Sequence, residues 1–182
     1  MKHLVLSNYR CGTTWFCNNL AKEYSANNFD EIFHSNFKVS EKLKGAHLYL
    51  DSDAPVVAKI FPSHIDDIQN KNLNSLFGKM VNRSKLYYIK RRDVKSQIDS
   101  YIKALHMGFN KKIGWHEDIL DSNEIKISRE EYDQYADYIL NLNAQIKMFC
   151  RTPGLNVETV IFEDFATKEN RYNRNISLTI TN

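Results

Sequence analysis

The sequence predicts an α/β domain in three layers, with a mostly parallel central sheet flanked by helices. Three observations carry that expectation. Short apolar runs occur near residues 4–6, 55–61, 85–89 and 157–162, each bounded by turn residues. Between them, apolar residues recur at helical spacing. No repeat, low-complexity run or linker interrupts the alternation. Strands separated by helices need crossover connections, which favour a parallel sheet covered on both faces. The 182 residues, 42% of them hydrophobic, suit a single domain over 1–182 with a core of its own.

The elements follow in order. Leu4 to Leu6 read as a short buried strand, and a polar turn with one glycine follows it. From Thr13 to about Tyr24, Trp15, Phe16, Leu20 and Tyr24 recur at helical spacing until Ser25-Ala26-Asn27-Asn28 stops the helix. Residues Phe29 to Asp53 show no clear period. Pro55 to Phe61 form the second strand, ended by Pro62. One amphipathic helix is expected from Ile65 to Met80, with Ile65, Ile68, Leu73, Leu76 and Met80 on one side.

Lys85 to Ile89 form the third strand and run into Lys90-Arg91-Arg92-Asp93. A helix with Val94, Ile98, Tyr101, Ile102 and Leu105 comes next, and Gly108 to Ile127 read as irregular. Ser128 and Glu131 make a capping box, opening a long apolar stripe from Tyr132 to Cys150. After Pro153-Gly154, Val157 to Phe162 form the fourth strand, and the tail beyond Asp164 is polar and basic.

Composition narrows the function. A net charge of +3 is too small for a nucleic-acid binder but suits a local basic pocket for an anionic ligand. Cys11, Cys17 and Cys150 lack metal-ligand spacing and fit reduced thiols. No stretch is long and apolar enough to span a bilayer, and the N-terminus lacks a signal-peptide pattern. The expectation is a soluble cytoplasmic protein.

The first turn, Arg10-Cys11-Gly12-Thr13-Thr14-Trp15, carries the chemistry. Strand, turn and helix in succession aim free backbone N–H groups at an anion. Arg10 adds a fixed positive charge, and Thr13 and Thr14 add hydroxyl donors. A nucleoside-triphosphate loop would read Gly-x-x-x-x-Gly-Lys-Ser/Thr, whereas this chain has only Gly12 and no lysine after it. An ordinary turn with Gly12 for backbone freedom and a threonine cap is the plainer alternative. Arg92 closes the third strand, and Ser100 lies two helical turns further on, on the face that looks back to the strand end. Arginine binds phosphate oxygens bidentately, so these two suit a second phosphate. Lys90 and Arg91 read as solvated charges.

These motifs resemble those of sulfotransferases that use 3′-phosphoadenosine 5′-phosphosulfate. The first turn is similar to that family's Lys/Arg-Ser-Gly-Thr-Thr-Trp loop, and Arg92 with Ser100 matches its arginine and serine on the cofactor's 3′-phosphate. Val160-Ile161-Phe162-Glu163-Asp164-Phe165 looks like its hydrophobic–Tyr–Glu–Asp–Leu strand exit. The resemblance implies a P-loop-like sulfotransferase fold and sulfuryl transfer to an acceptor hydroxyl or amine, with no metal required. It implies cofactor contacts from Arg10, Cys11, Gly12, Thr13, Thr14, Trp15, Arg92 and Ser100, with Trp15 stacking the adenine. The acceptor is a small molecule, carbohydrate or peptide; neither nucleic acid nor membrane is an expected partner.

Deprotonating the acceptor calls for a group titrating near neutrality, and His64, just past the second strand, is the best placed of six histidines. The family carries Lys-Thr-His in that region; here Lys59 precedes His64 by five positions. Arg10, Lys59 and His64 are therefore the expected catalytic groups. Cys11 stands where the family has serine, and its place beside Arg10 and a helix N-terminus predicts a lowered pKa. The acceptor pocket is expected around Phe33, Phe37, Trp115 and His116. The family's closing Gly-x-x-Gly-x-x-Lys segment has no counterpart, since no glycine follows Gly154. Either Arg171 or Arg174 supplies that charge, or the nucleotide site is more open. Two other readings stand beside this one: a P-loop nucleotide or small-molecule kinase, and a nonenzymatic nucleotide-binding module of the same fold.

Overall fold

The computed structural model describes residues 1–70, 73–106, 124–166 and 177–181. Its main sheet has five strands: β1 (Lys2–Ser7), β2 (Asn27–Asn28), β3 (Val56–Ile60), β4 (Lys85–Lys90) and β6 (Val157–Ile161), in the order β2-β3-β1-β4-β6. Every pairing is parallel. Leu4 lies between Ala58 and Leu86, and Leu6 between Ile60 and Tyr88.

The helices are α1 (Thr13–Glu23), α2 (Val39–Asp51), α3 (Pro62–Asn70), α4 (Asn74–Asn82), α5 (Val94–His106), α6 (Arg129–Cys150) and the single turn α7 (Phe162–Phe165). Strands buried on both faces sort alternate residues into two cores. Leu4, Leu6, Ala58, Ile60, Leu86 and Tyr88 pack with Tyr49, Leu50, Met80 and Ile146. Val5, Val57, Tyr87 and Ile89 pack with Cys17 and Leu20 of α1. The expected three-layer α/β architecture is the observed one.

A second, two-stranded parallel sheet pairs β5 (Glu124–Ser128) with β7 (Ser177–Thr181). Ile125 and Ile127 of β5 turn inward onto Ile98, Ile102, Tyr132 and Ile139. The sequence predicts no strand at either place, because two inward isoleucines are too short a signal and the partner strand is far along the chain. Trp115 and His116 of the expected acceptor pocket, and Arg171 and Arg174, lie outside the described residues.

Three further expectations are corrected. The helix predicted over Ile65 to Met80 is two helices, α3 and α4. α4 starts at Asn74, a residue whose side chain competes for the backbone bonds that a continuous helix needs. Pro62 opens α3 rather than merely ending the strand, at the first helical position where its missing N–H costs nothing. The unpatterned Phe29 to Asp53 contains α2, whose first turn is closed by Glu41 accepting from the Lys38 N–H. Ser128 caps α6 as expected, accepting from the Glu131 N–H at 3.1 Å.

Because all five strands are parallel, their carboxyl ends open on one side of the sheet. The residues after β1, β2, β3, β4 and β6 therefore share one edge, where ligands bind in open α/β sheets.

Candidate active site

The turn after β1 is shaped by two left-handed residues, Arg10 at φ 62° and Gly12 at φ 72°. Arg10 adopts that conformation despite its side chain, a local strain of the kind found at functional sites. Gly12 has no alternative: a Cβ there would lie 2.4 Å from the ring of Phe162. Gly12 caps α1 with no side-chain hydrogen bond, so the first-turn N–H groups have no side-chain cap. Thr13 is buried, and its Oγ1 has no hydrogen-bond partner among the described residues. An open helix terminus beside an unpartnered buried hydroxyl is an arrangement that fits an anion.

Buried polar side chains anchor the turn from behind. Asn8 donates to the Ile139 carbonyl and to Asn143, and Gln97 donates to the Tyr9 carbonyl at 2.8 Å. Asn143 in turn donates to Gln97, closing a network between β1, α5 and α6. Arg91, read from the sequence as a solvated charge, is instead part of this packing. It donates to the Arg10 carbonyl at 3.2 Å and lies over the Phe162 ring at 4.4 Å.

Arg10 and Ser100 meet directly, with Arg10 Nε donating to Ser100 Oγ at 2.9 Å. Arg92 turns outward: its guanidinium lies 3.0 Å from Asp164, and both side chains are largely exposed. Ser100 is thus placed with the first turn, while Arg92 is placed with α7. Trp15 is half-buried and stacks on Phe165, with ring centroids 5.1 Å apart and planes 9° from parallel.

Cys11 departs from expectation. Its side chain is buried in the core with Val5 and Cys17, and burial pushes its thiol up to about 11 despite the nearby positive charge. The lowered pKa expected from its place in the sequence is therefore absent. Its thiol reaches back to the Tyr9 carbonyl, at 3.8 Å.

The second cluster lies at the ends of β2 and β3. Lys59, nearly buried, donates to Thr14 Oγ1 at 2.9 Å and sits 2.6 Å from Asp30 and 3.2 Å from Glu31. Burial alone would lower the pKa of this lysine, but the two carboxylates hold it above its usual value. Asp30 is held left-handed at φ 53°, with its N–H bonded to the Asn28 side chain. That strained turn lets consecutive carboxylates reach one ammonium.

His64 is buried behind Glu31. Its Nδ1 accepts from the Phe61 N–H at 3.3 Å, and its Nε2 faces Glu31 at 3.5 Å. Burial lowers its pKa although Glu31 acts in the opposite direction, so the ring is neutral at pH 7. With Nδ1 accepting, the neutral ring carries its proton on Nε2, toward Glu31. Burial would raise the Glu31 carboxyl, yet the His64 bond and the Lys59 charge hold it below the usual range.

No sequence signal marks Asp30 and Glu31, because their segment has no period and their partners lie about thirty residues away. Both line a depression of about 380 Å³ with Phe29, His34, Asn36 and Phe37. Phe37, one of the residues expected around an acceptor pocket, lines this depression. Phe33 does not: it is fully buried in the core against Phe77.

Among the described residues no helix is long and apolar enough to cross a membrane, and no group of three or more acidic, histidine or cysteine side chains is placed to hold a metal ion. No family model and no curated protein matches the chain. Among solved structures it is similar to the YorR protein of Bacillus subtilis, crystallised in complex with phosphorylated GDP. The TM-score is 0.52 at 15% identity, over 93% of this chain and 90% of that one. At that identity the likeness is one of fold, and the chain has a P-loop-like α/β fold.

Proposed function

We propose that the chain is a sulfotransferase that moves the sulfuryl group of 3′-phosphoadenosine 5′-phosphosulfate to an acceptor hydroxyl or amine. The observation that carries this reading is Lys59, a buried ammonium touching the hydroxyl of Thr14 on one side and Asp30 and Glu31 on the other. It joins a cradle suited to an anion to a carboxylate suited to an acceptor proton. The nucleotide supplies the activated sulfuryl group and departs as adenosine 3′,5′-bisphosphate.

The chain's own residues divide the work. The N–H groups of the α1 terminus, Thr13 and Arg10 hold the phosphosulfate and stabilise charge growing on the leaving phosphate. Lys59 neutralises charge on the oxygens of the moving group. The acceptor enters by the depression beside Phe37, and its oxygen or nitrogen bonds to sulfur as the bond from sulfur to the 5′-phosphate oxygen breaks. Its proton passes to Glu31, which is ionised at neutral pH and oriented by His64. His64 therefore acts through Glu31, with its own ring nitrogens engaged. Arg92 takes the 3′-phosphate, and Trp15 stacks the adenine.

A second reading is favoured by one comparison: YorR holds a guanine nucleotide on the same fold. A kinase or a nonenzymatic nucleotide-binding module would share the cradle. Thermal-shift measurements separate these readings. Stabilisation by adenosine 3′,5′-bisphosphate without magnesium supports the sulfotransferase, and a preference for magnesium-ATP or magnesium-GDP would sink it. Transfer of labelled sulfate to any member of an acceptor library then excludes a module without turnover.

A further inference from the structure

The four-residue turn α7 touches both groups of residues assigned above to the nucleotide. Phe162 packs on Gly12 and carries the Arg91 guanidinium on its ring. The Glu163 carboxylate accepts from the Arg92 N–H at 2.9 Å and the Asp93 N–H at 3.2 Å. Asp164 accepts from Arg92 Nη2, with its two oxygens at 3.0 and 3.4 Å. Phe165 lies parallel to Trp15. A carboxylate thus stands where a phosphate is expected, and an aromatic ring stands where a base is expected.

The turn is uneven in how it is held. Phe162 and Glu163 are half-buried and engage backbone, so they fix the joint between β6 and the start of α5. Asp164 is 60% exposed and its partner Arg92 is 66% exposed. Exposed pairs of this kind contribute little to stability, so exchanging one anion for another costs little.

We propose that Asp164 is an internal stand-in for the ligand phosphate on Arg92, and that Phe165 fills the stacking face of Trp15 in the same way. The backbone of α7, tied by Glu163 and by the buried Ala166, stays in place, and the side chains of Asp164 and Phe165, the latter also packed on Phe16, swing aside when a nucleotide enters. This inference rests on the nucleotide reading above, since it takes Arg92 and Trp15 as ligand contacts. It also supplies a device that guards the nucleotide site from within the chain.

Titration calorimetry without metal tests it, using adenosine 3′,5′-bisphosphate and adenosine 5′-monophosphate on the wild type, D164N, D164E, R92A and the R92A/D164N pair. Freed of its competitor, Arg92 in D164N should hold the bisphosphate about two- to fivefold more tightly, with the monophosphate unchanged. D164E, which keeps the carboxylate, should stay near the wild type, and D164N should do nothing in the R92A background. Phe165→Leu should tighten both nucleotides about twofold or more, because each carries the base. Equal bisphosphate affinity in wild type and D164N, or an equal gain for both nucleotides, would overturn the stand-in while leaving the nucleotide reading intact. Weaker binding by Phe165→Leu would make Phe165 part of the base platform and overturn that half. If neither wild type nor D164N binds either nucleotide, the nucleotide reading falls and the stand-in falls with it.

Discussion

The turn after β1 and the cluster at the ends of β2 and β3 serve one edge of the sheet but are built differently. The first is made of backbone. Its shape depends on φ values at Arg10 and Gly12 and on the approach of Phe162 to within a Cβ of Gly12. The second is made of side-chain charge. Lys59, Asp30, Glu31 and His64 come from three separate segments and hold one another by ion pairs and hydrogen bonds. A backbone device tolerates almost no change of residue at its tightest point. A charge device tolerates change wherever the change is matched by its partner.

Substitution separates the two, and the largest effect is expected at the glycine. Gly12→Ala combines a disfavoured left-handed backbone with overpacking against Phe162, so it should cost about 3 kcal/mol in denaturant unfolding. Adding Phe162→Ala should not recover the wild-type value, because the φ of +72° remains. A near-neutral Gly12→Ala would break the contrast.

Next comes Lys59→Met, which leaves Asp30 and Glu31 facing each other without their cation. A loss of about 2 kcal/mol is expected, below that of a fully buried pair because Asp30 is exposed. Here a second change should help: Glu31→Gln on that background should restore part of the loss, while Glu31→Gln alone abolishes most turnover. If the double variant is no more stable than Lys59→Met, the cluster is not held by charge.

A smaller effect is expected from pH. Burial holds both His3 and His64 below their usual 6.5. The unfolded chain therefore binds more protons than the folded one as pH falls below that value. Stability is full above about pH 6.5 and declines below it, by at most about 1.4 kcal/mol per pH unit per histidine. Urea unfolding at stepped pH should show the decline, and His3→Phe should make it shallower; an unchanged slope would remove His3 from the account. The least effect is expected at Cys11. Its thiol is buried and raised to about 11, so iodoacetamide at pH 8 should label it in urea and leave it unmodified in the folded protein.

What could be read from residue order follows the same division. The first turn was legible because strand, glycine and helix are contiguous, and because a glycine's freedom and a helix terminus are local properties. The sheet was legible for a similar reason, as runs such as Val56 to Ile60 are apolar on both faces. Ser128 as a cap needed only the residue three positions on. Arg91 was misjudged because three neighbouring basic residues look alike until one of them is seated on Phe162. Cys11 was misjudged because a turn residue's burial depends on which core lies beneath it.

The sequence by itself determined the layered α/β architecture, the strand–turn–helix unit at Arg10 to Thr14 and the position of His64 just past a strand, since each depends on neighbours in the chain and on the period of apolar residues. Only the tertiary structure decided that Glu31 faces His64, that Ser100 bonds to Arg10, and that Arg92 is held by Asp164. Those contacts join residues 33 to 90 positions apart. Each joins a charged group to a partner that only the fold brings to the same sheet edge, and no local pattern in the chain records that distance.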